Sequence, residues 1–306
     1  MHSKLEGNHI IVITGPTAVG KSQLLLELFS DYDGPLISAD SRQIYQEMSI
    51  GTAKPSNEEI ETLDLKLVNH TSIHSPYNAG KYEQEAMVLI NSAFNNMQVP
   101  VLSGGTGLYL QAIAKGLDSI PEVNQETINK LNSEAEEDFQ SLLVELQVAD
   151  EVYYKQIDLN NRHRVIRALS VIRETKQPFS SFLNQRVPRT FKTYYVVLER
   201  PREKLYERID NRVLKMIEYG LVDEVKGLID YRSLKALKTV GYQEVFKYLD
   251  DEYSLDDAIS MIQQNSRRYA KRQMTWFRNQ INGVSIHPED IKAVRSYITS
   301  LKSQNI

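Results

Sequence analysis

Residues 9–22 read His9-Ile10-Ile11-Val12-Ile13-Thr14-Gly15-Pro16-Thr17-Ala18-Val19-Gly20-Lys21-Ser22. An apolar run suited to a buried strand feeds a glycine-punctuated turn, and Ser22-Gln23-Leu24-Leu25-Leu26-Glu27-Leu28 then opens a helix. Such a corner aims successive backbone N–H groups and the positive end of a helix dipole at one point. Gly15 and Gly20 permit the turn and the close backbone approach, Lys21 supplies a point charge, and Ser22 offers a hydroxyl to Mg²⁺. The eight residues Gly15, Pro16, Thr17, Ala18, Val19, Gly20, Lys21 and Ser22 therefore predict a seat for a polyphosphate or diphosphate. An ordinary strand–turn–helix corner has no use for both Lys21 and Ser22. The motif leaves open whether the phosphate is transferred, hydrolysed or released.

Working outward, apolar runs at 35–39, 65–69 and 99–103 alternate with amphipathic segments at 21–30, 57–63, 79–96 and 107–115, which predicts strand–helix units on a parallel sheet. The helix over 79–96 is supported by the apolar spacing of Ala86, Leu89, Ile90 and Ala93. After Gly116 the pattern changes: Leu117-Asp118-Ser119-Ile120-Pro121-Glu122 reads as a linker, and helical periodicity runs on to about residue 188. A strand pattern returns at 193–199, Pro201 starts an amphipathic helix over 202–219, a long helix is expected over 255–280, and a last strand over 283–288. The expected fold is thus α/β, a phosphate-loop NTPase-like parallel sheet flanked by helices. Residues 1–117 and 190–306 form the core, and 118–189 a helical insertion.

Composition narrows the chemistry. The chain has 306 residues, no cysteine and six histidines. Disulfides, thiolate metal sites and thiol catalysis are thereby excluded. His70 and His74 lie in a loop-like run without a third ligand, which favours a structural role. No apolar stretch is long enough to span a membrane and none near the start resembles a signal core, so a cytoplasmic protein without membrane contact is expected. The net charge is −4, yet its distribution is uneven. Acids dominate between Glu122 and Glu151, most simply as a solvated helical face, whereas Ser266–Arg278 holds five cations and no acid. Cations interleaved with Gln, Tyr and Trp suit nucleic-acid backbone and base stacking; the same run also reads as a helix whose Met274, Trp276 and Phe277 pack inward.

Two features set the chain apart from a nucleotide kinase. Ser38-Ala39-Asp40-Ser41-Arg42-Gln43-Ile44-Tyr45 follows the second strand, placing Asp40 on the edge that carries the phosphate loop, where it could hold Mg²⁺, cap a helix or act as a general base. The fourth strand enters Gly104-Gly105-Thr106-Gly107 with no acid in Pro100-Val101-Leu102-Ser103, although a hydrolysing NTPase usually positions its metal from such a strand end.

Together with Ile50-Gly51-Thr52-Ala53-Lys54-Pro55, Arg162–Leu169, Tyr206–Arg212, Val240-Gly241-Tyr242 and Ala270–Arg278, these segments resemble the bacterial tRNA dimethylallyltransferases, in family order over nearly the whole chain. Ser103 departs from the family's frequent valine, and residues 122–151 match poorly. The resemblance implies transfer of a dimethylallyl group from dimethylallyl diphosphate to N6 of adenosine 37 in the tRNA anticodon stem-loop, with Mg²⁺ and release of diphosphate, by a monomer. It implies Asp40 as general base, Thr17 at the reacting end, and Arg208, with Arg212 beside it, on the diphosphate. It assigns reading of the extruded base to Asp40, Ser41, Arg42, Gln43 and Thr106. Grip on the anticodon arm falls to His163, Arg164, Val165, Ile166 and Arg167 in the insertion, to Thr239, Val240, Gly241, Tyr242, Gln243 and Glu244, and to Lys271, Arg272, Gln273, Thr275, Trp276 and Arg278. Two other functions use the same loop: prenyl transfer to a free adenine nucleotide, which has less need of the insertion and the basic helix, and an RNA-dependent NTPase switch.

Overall fold

A computed structural model describes residues 8–303. In chain order the elements are β1 (His9–Thr14), α1 (Lys21–Phe29), β2 (Leu36–Ser38), α2 (Asn57–Thr62), β3 (Leu65–Lys66), α3 (Ala79–Asn95), β4 (Val101–Gly104) and α4 (Gly107–Lys115). Four helices follow, α5 (Gln125–Glu137), α6 (Phe139–Ala149), α7 (Glu151–Tyr154) and α8 (Arg162–Thr175). The chain then forms β5 (Lys192–Leu198), α9 (Arg202–Glu218), α10 (Leu221–Lys226), α11 (Tyr242–Leu249), α12 (Leu255–Gln280), β6 (Val284–Ile286) and α13 (Ile291–Ser303).

The six strands make one parallel sheet in the order β3-β2-β4-β1-β5-β6. All six β1 residues are buried, because the alternating side chains enter cores on both faces. Ile11 and Ile13 meet Leu24, Leu25 and Phe29 of α1 and Leu205 and Ile209 of α9, whereas Ile10 and Val12 meet Tyr82, Ala86 and Ile90 of α3 and Leu110 and Ile113 of α4. That two-sided burial is why β1 reads as an unbroken apolar run. Ile11–Thr14 pairs with Val101–Gly104 and His9–Thr14 with 192–197, so the phosphate loop leaves the middle of the sheet at its carboxyl edge.

The expected strand over 65–69 stops at Lys66. Leu67 and Asn69 adopt left-handed φ of 58° and 49°, which turns the chain out of the ladder. The amides of Asn69 and His70 bond the carbonyls of Gln43 and Ile44 instead, so this segment buttresses the turn after β2.

The described chain divides into two compact units, one comprising residues 8–114 with 189–303, the other Lys115–Pro188. Within the second, Leu131 and Ala135 of α5, Leu142 and Leu146 of α6, and Val165, Ile166 and Leu169 of α8 form its own core. The acidic stretch is not wholly a solvated face. Glu134 and Glu145 both clamp Arg173 of α8, at 2.7 and 2.6 Å, through paired hydrogen bonds. Among the described residues no helix is long and apolar enough to cross a membrane.

Candidate active site

The phosphate loop is shaped by contacts on its outer side. Gly15 has φ of +155°, and a Cβ there would lie 2.7 Å from the Leu198 carbonyl oxygen, so only glycine fits. The Thr14 hydroxyl donates to Gly104 O at 2.7 Å, joining the ends of β1 and β4. Gly20 precedes α1 with no side-chain cap, which leaves the first-turn amides of α1 for a ligand. Lys21 Nζ folds over the loop onto the carbonyls of Gly15 (2.8 Å) and Pro16 (3.0 Å). Burial pushes its pKa down to about 8, opposed by the nearby Asp40 charge and reinforced by Arg212.

The loop opens on a cleft of about 910 Å³ that residues 17–23 share with Asp40, Gln43, Ala53, Gly105, Arg208, Arg212, Tyr269 and Gln273. Asp40 Oδ1 accepts the backbone amides of Arg42 (2.9 Å) and Gln43 (3.2 Å), an Asx turn that sets the carboxylate at the carboxyl edge of β2. One oxygen therefore fixes the turn, and Oδ2 remains to accept a proton or a donor. Gln43 Nε2 donates to the carbonyls of Thr52 and Ala53, at 3.2 and 3.1 Å.

The arginines of α9 separate clearly. Arg212 is half-buried; its Nη1 donates to Thr17 Oγ1 at 2.9 Å and its Nη2 to Thr52 O at 3.2 Å. Arg208 is exposed and donates through Nε to Ala18 O at 2.9 Å. Both cations thus touch the loop, but the one that the resemblance ranks second is bonded to the Thr17 side chain.

Several residues expected to meet RNA are held within the protein. Gln273 is buried; its Oε1 accepts the Thr17 amide and its Nε2 donates to Gly105 O, both at 2.9 Å, so it braces the loop against the turn after β4. Thr106 Oγ1 accepts the Ser41 amide at 2.9 Å, tying the turn after β2 to the start of α4. Arg42 reaches the Ala236 carbonyl at 3.1 Å. The Trp276 indole packs on Gly107, where a Cβ would come within 2.6 Å of the ring, and it meets Phe277 edge-on. Tyr242 is fully buried with its hydroxyl on Glu224, and buried Glu244 accepts the Gly241 amide and Asn265 Nδ2. Val165 and Ile166 belong to the core of the 115–188 unit. For the residues on α8, α11 and α12 the side chain points inward because helical periodicity puts it on the buried face, whereas Arg42 and Thr106 are held by loop contacts. His163, Arg164, Lys271, Arg272, Thr275 and Arg278 are exposed, as is Gln243, whereas Arg167, Thr239 and Val240 are half-buried. Arg167 donates to Pro121 O at 3.1 Å.

Lys54 donates to Asn69 Oδ1 (2.6 Å) and the Tyr45 carbonyl, closing the 45–54 loop on the cleft wall. Arg200, nearly buried, donates to Val19 O at 2.8 Å and pairs with Glu289. Sequence reading passed over Arg200 and Glu224, and took Tyr269 only as part of the cationic run, not as a cleft residue. Their signal is contact with the loop or cleft across long sequence separations, which no local pattern carries. His70 pairs with Glu85 and His74 meets the Tyr231 ring edge-on, both structural contacts.

Ser22 sits on the cleft wall at the loop's end. Among the described residues no cluster of three His, Asp or Glu side chains forms a closed metal cage. One hydroxyl beside a phosphate seat fits Mg²⁺, which takes few protein ligands and completes its shell with phosphate oxygens and water.

A family model described as IPP transferase matches residues 43–280. The chain is 45% identical to the tRNA dimethylallyltransferase of Christiangramia forsetii over 89% of its length and 90% of that protein's. It is 42% identical to tRNA dimethylallyltransferase 1 of Bacteroides thetaiotaomicron over 97% and 96%. Among solved structures, tRNA delta(2)-isopentenylpyrophosphate transferase from Staphylococcus epidermidis superposes with a TM-score of 0.70 at 30% identity, covering 98% of this chain and 100% of that one. A eukaryotic dimethylallyltransferase solved acting on tRNA gives 0.77 at 27% identity, over 93% and 75%. With its phosphate loop, Asp40 turn and α9 arginines on one cleft, and a family match over most of its length, the chain belongs to the IPP transferase family, that of the tRNA dimethylallyltransferases.

Proposed function

We propose that the protein transfers a dimethylallyl group from dimethylallyl diphosphate to N6 of adenosine 37 in the anticodon stem-loop of tRNA, releasing diphosphate, as a cytoplasmic monomer. One observation carries the reading: the phosphate loop and Asp40 line one cleft, while the strand beside β1 ends at Ser103-Gly104 without the carboxylate that hydrolysis would use. The relatives' names, and the neighbour solved acting on tRNA, point the same way.

The exocyclic amine of adenine is a weak nucleophile, because its lone pair is delocalised into the ring. As N6 bonds C1 of the allylic group, the C1–O bond breaks and its electron pair leaves with the diphosphate, while the N6 proton passes to Asp40 Oδ2. Negative charge grows on the departing oxygen. Lys21, the loop amides, Arg212 and Arg208 border the phosphate seat and would stabilise that charge. Mg²⁺ held through Ser22 would supply further charge neutralisation on the diphosphate.

Adenosine 37 must leave its stack to reach the cleft. The 115–188 unit, through His163, Arg164 and Arg167, and α12, through Lys271, Arg272 and Arg278, would grip the anticodon arm. Mass analysis of a tRNA pool incubated with dimethylallyl diphosphate and Mg²⁺ tests the reading. A single prenyl increment confined to anticodon-loop fragments supports it. Modification of free adenine nucleotide alone, or brisk RNA-stimulated ATP hydrolysis, would replace it.

A further inference from the structure

Glu224, on α10, does not line the cleft but holds one of its walls. Its Oε2 accepts the amides of Ser49 (3.0 Å) and Ile50 (2.7 Å); its Oε1 accepts the Gly51 amide (3.0 Å) and the Tyr242 hydroxyl (2.6 Å). Three successive amides converging on one carboxylate form a strong, charge-assisted anchor for residues 49–51. Gly51 also packs directly on the Tyr242 ring, where a Cβ would fall within 2.5 Å. The bonds from Ala53 N to Ile50 O and from Thr52 Oγ1 to Met48 O shape this turn internally. Glu224 ties it to the α10–α11 side of the protein.

The same turn ends in Thr52, whose carbonyl accepts both Arg212 Nη2 and Gln43 Nε2. Arg212 Nη1 in turn holds Thr17 Oγ1. A planar guanidinium has its orientation fixed by two acceptors in different directions, and loses that orientation when one acceptor shifts. We infer that Glu224 is a positioning residue: by anchoring residues 49–52 it places the Thr52 carbonyl that orients Arg212 toward Thr17 and the phosphate seat. Small misplacements of such groups carry large rate penalties, so the anchor acts on the reaction without touching the substrate.

The inference rests on the proposed function for its second readout only. In Glu224→Gln one side of the carboxylate becomes an NH₂ that faces donors, so about half of the anchor is lost with the shape kept. Full-length wild type, E224Q, Arg212→Ala and the double variant would be compared for inorganic pyrophosphate affinity with Mg²⁺ by calorimetry, and for single-turnover transfer at saturating RNA. E224Q is expected to weaken pyrophosphate about 5-fold and slow transfer about 10-fold, with RNA affinity unchanged, and to add less than about 2-fold in the R212A background. Equal losses in both backgrounds, or unaltered pyrophosphate affinity in folded E224Q, would overturn it. If E224Q does not fold, Tyr242→Phe, which removes one of the four donors, goes through the same cycle with a loss of about 2-fold expected only when Arg212 is present. A wild type that binds pyrophosphate but transfers nothing would sink the proposed function, while the calorimetric cycle would still decide the role of Glu224.

Discussion

Arg212 Nη1 donates to Thr17 Oγ1 at 2.9 Å, so one lone pair of that hydroxyl is occupied and its own proton is left to be donated into the cleft that both residues line. A hydroxyl held in this way can follow charge onto the departing oxygen of an allylic diphosphate. Thr17→Val, which keeps the shape and removes the hydroxyl, is expected to lower the single-turnover rate about 10²-fold; Thr17→Ser should stay within about 10-fold of wild type. Equal rates for the two variants would remove the hydroxyl from the reaction.

Asp40 carries two duties on separate oxygens, and Asn can perform one of them. Asp40→Asn keeps an acceptor for the amides of Arg42 and Gln43, so its thermal midpoint should match wild type. Its chemical step should fall about 10²-fold or more, because a carboxamide cannot take the N6 proton. Gel-shift affinity for an anticodon stem-loop should survive. A near-normal rate would mean that another group is the base.

The lowered pKa of Lys21, about 8, gives diphosphate binding a pH signature. Below pH 8 the ammonium is already charged and binding needs no proton. Above it the bound anion favours the charged form, so binding takes up a proton and affinity falls as pH rises. Calorimetry at pH 8.5 in buffers of different ionisation enthalpy should show proton uptake, and Lys21→Ala should abolish it. For folding the sign is opposite: between about 8 and 10.5 the unfolded chain binds more protons, so this group adds stability with rising pH.

Lys271 and Arg272 are exposed neighbours on α12, beside the Trp276 that packs inward. Replacing both with Ala should weaken stem-loop binding and reduce the slope of log K against log salt by about 1 to 2. An unchanged slope would make them ordinary surface charges.

Gly107 starts α4 under the chain's single tryptophan. Gly107→Ala forces a methyl against the Trp276 ring and should cost about 1–3 kcal/mol of stability despite the better helix propensity of Ala. Trp276 fluorescence should report the displacement directly. A stabilised variant with an unshifted spectrum would show that the indole yields without cost.

The helices over 107–115 and 255–280 were readable residue for residue, because periodic burial and capping are local. Ser254 caps α12 with Asp257, and Ala258, Ile262, Ala270, Gln273 and Phe277 form its buried stripe. The same periodicity separates Gln273 from Lys271 and Arg272, a distinction that residue composition alone obscures. β3 was overextended because a left-handed turn at Leu67 leaves no apolar signature.

What the sequence by itself determined is the strand–loop–helix corner at 9–28, the parallel arrangement that puts Asp40 on the same edge, and the family to which the whole pattern belongs. These follow from local periodicity, glycine placement and motif spacing. Only the tertiary structure decided which cation meets Thr17, since Arg208 and Arg212 lie four residues apart on one face of α9 and differ in burial rather than in pattern. It also decided that Gln273 and Trp276 brace the loops, and that Glu224, 174 residues from Ile50, anchors the turn behind the cleft. The physical reason is that hydrogen bonds and packing between distant segments depend on where the sheet and helices bring them.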